Sequence, residues 1–230
     1  MNLPMNWLVF GAGAIGTYVG GSLLYEGHQV TFLEQPSTAQ EIRQRGLHLQ
    51  LNGQLIKIPD PFVVASMEEA KQNAPFDAAF FALKSFDTQP ALKQLTPHLQ
   101  WLPPVICLQN GVENESILAA LLGNERVIAG TVTSAVRRRA AGDVTLERKR
   151  GIGLSSLHPR SGAFASALKG AGLNAHLYPS PLAMKWSKML TNLVGNATSA
   201  IRDLTPAQVF NHPRLYNLEI QQLRETLAVM

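Results

Sequence analysis

The sequence predicts an α/β protein, a mostly parallel sheet covered by helices and followed by an all-helical segment that the 230 residues leave incomplete. Three observations predict it. Short apolar runs at 5–10, 29–34, 77–83, 105–108 and 126–133 have strand length and alternate with helical patterns, as parallel strands joined by crossovers require. The glycine-rich turn Gly11-Ala12-Gly13-Ala14-Ile15-Gly16 follows the first run directly and opens a helix. Beyond Pro179-Ser180-Pro181 strand signals stop and helical spacing remains, which puts a domain boundary between 1–180 and 181–230.

At 46% hydrophobic and 16% charged residues the chain can bury a substantial core. No run approaches the ~18 apolar residues of a membrane span, and Met1-Asn2-Leu3-Pro4 lacks the basic-then-apolar layout of a secretory signal, so the protein reads as cytoplasmic, with no membrane partner. One cysteine, Cys107, sits in an apolar run, which excludes an internal disulfide and a cysteine metal cluster; no metal site is expected. The formal charge of +4 gathers at Arg137-Arg138-Arg139 and Arg148-Lys149-Arg150, either side of the turn Ala141-Gly142-Asp143. Charges at the ends of a hairpin mark a solvated edge strand that resists pairing, and no aromatics are interleaved as stacking platforms, so no nucleic acid is expected.

In chain order, Met5 to Phe10 is a strand, the glycine turn follows, Thr17 to Glu26 is a helix closed by Gly27, and Gln29 to Glu34 is the next strand. This unit of about thirty residues is the setting in which G-x-G-x-x-G signals a Rossmann-like dinucleotide-binding domain. The first glycine permits a sharp turn, the second lets a pyrophosphate approach the backbone, and the third lets helix and sheet pack closely; Ala12, Ala14 and Ile15 complete the cradle. Glu34, at the end of the second strand, stands where a carboxylate accepts hydrogen bonds from a ribose 2′-hydroxyl and repels a 2′-phosphate. Arg43 and Arg45 stand further on, within reach of folding back, and leave NAD against NADP open. Leu47 to Leu51 and Leu55 to Ile58 around Asn52-Gly53-Gln54 suggest a small hairpin on one edge of the sheet. Lys84 and Asn110 each follow a buried strand, on the side where open α/β sheets bind ligands. Glu113 to Leu122 is a helix, and Gly142 to Lys149, Ile152 to Leu157 and Ala175 to Tyr178 are strands of a more antiparallel edge, with a helix near Ser161 to Ala171.

Met184 to Ile201 reads as one largely buried helix. At about 100° per residue, Lys185, Lys188, Asn192 and Asn196 share one polar stripe, which burial makes costly unless each group meets a partner. Thr205-Pro206 and His212-Pro213 start two further helices. The last carries Tyr216, Ile220, Leu223, Leu227 and Met230 with no cap. Its apolar face asks for cover, from further chain or from a second copy as a homodimer through the C-terminal helices, so the chain reads as a fragment or a short variant.

In this order the pieces resemble the ketopantoate reductase (2-dehydropantoate 2-reductase) family. Gly11 to Gly16 is similar to its cofactor fingerprint, Lys84 in Leu83-Lys84-Ser85-Phe86-Asp87-Thr88 to its lysine after a core strand, and Asn110-Gly111 to its Asn-Gly after the next. Lys188-x-x-x-Asn192-x-x-x-Asn196 resembles the family's helix of one catalytic lysine and two substrate-binding asparagines. The resemblance implies NAD(P)-dependent reduction of a small 2-oxo acid, ketopantoate in the first instance. It implies Lys188 as the proton donor with Lys185 as an electrostatic neighbour, Asn192, Asn196 and Asn110 on the substrate, and Lys84 and Asn110 beside the cofactor. NADP is the family's cofactor; NAD enters because Glu34-Gln35 stands in place of its arginine. A reductase of another small oxo or hydroxy acid, or a dinucleotide sensor without turnover, shares the same motifs.

Overall fold

The computed structural model describes residues 3–230. The chain divides into two compact units, one ending at Pro181 and the other Leu182–Met230.

In the first unit the elements run β1 (Asn6–Phe10), α1 (Ala14–Tyr25), β2 (Gln29–Leu33), α2 (Pro36–Arg45), β3 (Leu47–Leu51), β4 (Gln54–Ile58), β5 (Phe62–Val64), α3 (Met67–Lys71), β6 (Ala78–Phe81), α4 (Thr88–Leu95), β7 (Val105–Cys107), α5 (Asn114–Leu122), β8 (Val127–Val132), β9 (Ala135–Ala140), β10 (Asp143–Arg148), β11 (Ile152–Ser155), α6 (Ser161–Gly170) and β12 (Ala175–Tyr178). The main sheet has the order β12-β11-β8-β7-β6-β1-β2-β5. All neighbours are parallel except β11 against β8. From β1 the chain moves outward through β2 to β5, then restarts at β6 on the other side and proceeds to β7 and β8. The strand order therefore reverses between β1 and β6, and the loops leaving these two strands diverge to open a crevice at their carboxyl ends.

The hairpin β3–β4 is not an edge of this sheet. It forms a second sheet of order β4-β3-β10-β9, in which β10 runs parallel to β3 and antiparallel to β9. The strands expected as one antiparallel edge are thus divided, β10 going to the second sheet while β11 and β12 extend the first. Helix α1 explains the arrangement. It is buried from Gly16 through Leu23, too apolar all round to lie on a surface. A Cβ added at Gly20 would stand 2.6 Å from the Phe32 ring of β2, and one at Gly21 would stand 2.7 Å from Leu49 of β3. The helix is thin on two faces because a sheet presses on each.

One apolar core, with Trp7, Tyr18, Phe32, Leu49, Phe80 and Phe164, fills the α1 side. A second, with Phe10, Phe81, Leu95, Leu118 and Cys107, lies under α3, α4 and α5. At the amino ends of the strands Arg160 closes on Asp77, 2.5 Å between side chains and 2.9 Å to its carbonyl, while the other Asp77 oxygen accepts the Asn6 N–H at 2.9 Å. No helix among the described residues is long and apolar enough to cross a membrane.

Two histidines couple this unit to pH. Burial holds the His28 imidazole below its ordinary pKa, only partly offset by the Glu26 and Asp77 carboxylates, and its Nδ1 accepts the Met5 N–H at 2.9 Å. Burial and then the Arg160 charge lower His158 likewise. A depressed histidine pKa favours the neutral form in the folded state. Its stabilisation is therefore complete above the ordinary value near 6.5 and is lost as pH falls from there through the folded pKa. Melting temperature is expected to drop between about pH 7 and pH 5.5. The drop should be shallower for His28→Gln, whose amide oxygen accepts the same N–H without titrating; equal slopes in both proteins would refute the assignment.

In the second unit the elements are α7 (Pro181–Leu193), α8 (Asn196–Arg202), α9 (Pro206–Asn211) and α10 (Pro213–Val229). The expected single helix over 184–201 is two, separated at Gly195, whose φ of +78° is a left-handed value that only glycine takes at little cost. Just before the break, the Thr191 hydroxyl donates to the Lys188 carbonyl at 2.7 Å, a back-bond that favours bending. Nor is the stretch largely buried. Met184 and Lys185 are, but Lys188 and Asn192 are half-buried, Asn196 is exposed and Ile201 is 81% exposed. The break shifts the helical phase, so apolar residues on its two sides no longer form one stripe. Thr205 caps α9 in a reciprocal box with Gln208, as Thr205-Pro206 implied. α10 places Tyr216, Leu227 and Met230 at the surface, with Glu219 as its buried side chain.

Candidate active site

A cleft of about 810 Å³ opens in the first unit at the carboxyl ends of the strands. Its lining comes from the turn after β1, from the ends of β2, β6 and β7, and from β9.

The three glycines of the turn are required for three different reasons. Gly11 has φ +88°, and a Cβ there would meet Leu83 at 2.7 Å. At Gly16 a Cβ would lie 1.8 Å from the Gly11 carbonyl oxygen, which no side-chain adjustment can relieve. At Gly13 an added Cβ meets nothing within 4 Å, and its φ of −71° suits any residue. That free space is at the N-cap of α1, where no side chain caps the helix and Gly13, Ala14 and Ile15 line the cleft. A cradle kept open by a glycine, at the positive end of a helix, fits a pyrophosphate group.

Gly11, Gly13, Ala14, Ile15, Glu34, Lys84 and Asn110 all line this one cleft. Ala12 and Gly16 are buried behind it. The Glu34 carboxylate accepts the Ala12 N–H at 2.6 Å and the Gln35 N–H at 3.0 Å, which fixes it over the start of the glycine turn. Lys84 is exposed at the head of the loop after β6, and the Asn110 carbonyl accepts from the Asn114 side chain at 2.6 Å. Arg43 and Arg45 do not fold back. Arg43 donates to the Val63 carbonyl at 2.8 Å and pairs with Glu69 at 3.3 Å, and Arg45 pairs with Glu41 at 3.0 Å, because their own sheet edge and helix offer nearer acceptors.

Two lining residues escape a reading of the sequence. Arg138 belongs to the basic edge strand β9, yet it lines the cleft, whereas its neighbour Arg137 pairs with Glu147 at 2.6 Å. A charged run gives no sign of which residue turns toward a cleft in another sheet. Gln109 is buried and donates to the Leu83 carbonyl at 3.0 Å and the Thr88 hydroxyl at 2.9 Å, tying the loops after β6 and β7 together. Its position directly before Asn110, at a strand end, was the available signal.

The second unit carries the remaining candidates. Lys188 and Asn192 stand one turn apart on α7, and Asn196 opens α8 beyond the Gly195 break. Lys185, on the turn before Lys188, is buried.

Fold and cleft together define a dinucleotide-binding α/β protein with strand order reversing at its site. The family model for ketopantoate reductase PanE/ApbA matches residues 7–158, and the chain belongs to that family of NAD(P)-dependent oxidoreductases. It is 29% identical over 228 residues to the 2-dehydropantoate 2-reductase of Pyrococcus horikoshii, covering 96% of this chain and 72% of that protein. The crystal structure of a PanE/ApbA family ketopantoate reductase from Ralstonia eutropha JMP134 superposes with a TM-score of 0.86 at 27% identity, over 98% of this chain and 74% of that one. D-mandelate dehydrogenase, solved with NADH and anilino(oxo)acetate, matches with a TM-score of 0.84 at 23% identity, over 98% and 74% of the two chains, a likeness of fold alone. This chain thus spans about three quarters of the length of these relatives.

Proposed function

We propose that this protein reduces 2-dehydropantoate to pantoate with a reduced nicotinamide dinucleotide, and that NADH serves it better than NADPH. The observation that carries the reading is the cleft, in which the open Gly13 cradle, Lys84 and Asn110 meet where the strand order reverses. When bound, the cofactor supplies a hydride from nicotinamide C4. The chain's residues do the rest. Gly13, Ala14 and Ile15 hold the pyrophosphate by backbone N–H groups. Lys84 and Asn110 steady the cofactor, and in the second unit Asn192 and Asn196 orient the oxygens of the 2-oxo acid without adding charge. As a C–H bond forms at the ketone carbon, the carbonyl π electrons move to oxygen, where the Lys188 Nζ proton is delivered.

NADH is preferred because Glu34 is anchored by two backbone N–H groups at the end of β2, with Gln35 rather than a cation beside it. A ribose 2′-hydroxyl can donate to that carboxylate; a 2′-phosphate meets a fixed like charge. The test is dinucleotide oxidation on addition of ketopantoate, run with each cofactor. NADH is expected to give a kcat/KM at least about tenfold higher, about 1.4 kcal/mol of discrimination. Glu34→Gln should narrow the ratio by improving NADPH. A preference for NADPH in the unaltered protein would overturn the cofactor assignment. Turnover of other 2-oxo acids but not ketopantoate would move the substrate, and binding without turnover of any would identify a sensor.

A further inference from the structure

The break between α7 and α8 is held by a residue far away in sequence. Glu219, on α10, is 2% exposed, and its carboxylate accepts the Gly195 N–H at 2.7 Å and the Thr198 hydroxyl at 2.5 Å. Gly195 is the N-cap of α8 and has no side chain with which to cap it. The first N–H groups of a helix need an acceptor, and their positive end favours an anion. Glu219 supplies both from 24 residues on, through an acceptor-only group that faces two donors. A buried carboxylate is otherwise costly, so its place over this break is strongly specified.

Space does not dictate the glycine here, since the nearest atom to an added Cβ is Phe210 Cζ at 3.7 Å. The requirement is the left-handed backbone, and Glu219 is what anchors the N–H that this backbone presents. On one side of the anchored residue lies Asn192, in the last turn of α7; on the other lies Asn196, the first residue of α8. A continuous helix would put the two asparagines on one stripe, a turn apart. The bend gives them a different and fixed relation.

We infer that Glu219 is a positioning residue for substrate recognition: by clamping the bend at Gly195 it sets the mutual placement of Asn192 and Asn196. The inference rests on the substrate reading given above. A small error in placing orienting groups costs rate and affinity out of proportion to its size. Cofactor binding, which belongs to the glycine cleft, should not feel it.

The experiment compares Glu219→Ala, Glu219→Gln and Thr198→Ala in two readouts. The first is amide hydrogen exchange of the segment 194–202. Exchange is expected to rise in Glu219→Ala and, less, in Thr198→Ala, and to return toward the original value in Glu219→Gln, whose amide oxygen accepts the Gly195 N–H while its NH₂ group donates to the Thr198 oxygen. The second is steady-state kinetics. The KM for ketopantoate is expected to rise about tenfold or more in Glu219→Ala with the KM for NADH within about twofold, and Glu219→Gln should recover most of it. Unchanged exchange in Glu219→Ala, or parallel losses in both KM values, overturns the inference. Should Glu219→Ala not fold, Thr198→Ala decides by the same two measurements. An unaltered protein without activity on any 2-oxo acid overturns the substrate reading, while the exchange data still decide whether Glu219 clamps the bend.

Discussion

Lys188→Ala is expected to lower kcat for ketopantoate reduction by a factor of about 10² to 10⁴ with dinucleotide affinity unchanged, the size of effect lost with a positioned proton donor. Lys188 is half-buried on α7, and Asn192 follows one turn later on the same helix. Reduction of a ketone leaves negative charge on oxygen, so a cation that also carries a transferable proton serves both needs at one atom. Alanine keeps the helix propensity and removes the ammonium together with its aliphatic stem. The measurement is turnover with saturating cofactor, beside a direct binding titration of NADH. Unchanged turnover in a folded variant removes Lys188 from the mechanism, whereas a loss of NADH affinity of the same size makes it a cofactor ligand instead.

The second large effect separates two glycines of one turn. Gly16→Ala is expected to prevent stable folding of the first unit, because the new Cβ would stand 1.8 Å from a backbone oxygen. Overpacking against backbone costs about 3 kcal/mol or more, a large share of the ~5–15 kcal/mol that keeps a domain folded. Gly13→Val is expected to fold, with a stability loss of about 1 kcal/mol, since an added Cβ meets nothing within 4 Å and the cost is that of a poorer N-cap residue. The same free space is where the pyrophosphate fits, so Gly13→Val should weaken NADH binding about a hundredfold or more, roughly 2.8 kcal/mol. Thermal melts and NADH titration of the two variants check both halves. A Gly13→Val protein that binds NADH normally would show that the cradle lies elsewhere.

Lys84, Asn110 and the glycine turn were legible in the sequence because each sits at a strand end beside its own punctuation, and strand ends on one side of a parallel sheet converge. The first helix was legible too, but not the reason for its three interior glycines. Gly20 and Gly21 make sense only once Phe32 and Leu49 press from two different sheets. The hairpin β3–β4 carries no mark of which strand it will pair with, and β10, its parallel partner, lies some ninety residues further on.

The sequence by itself determined the alternation of strands and helices, the glycine turn with Glu34 at the end of the next strand, and the Lys188 and Asn192 pair one helical turn apart. All of these are local patterns, written in periods of two or 3.6 residues and in the few residue types a tight turn permits. Tertiary structure alone decided the second sheet, the approach of Arg138 to the cleft, the engagement of Arg43 and Arg45 elsewhere, and the break at Gly195. The reason is the same in each case. The apolar spacing runs up to Gly195 from both sides without marking which way the chain turns there, and the carboxylate that meets the Gly195 N–H, at 2.7 Å, comes from Glu219 on another helix. A contact between residues so far apart in the chain leaves no periodic trace in either segment, so the position of Asn196 was set by packing and not by spacing.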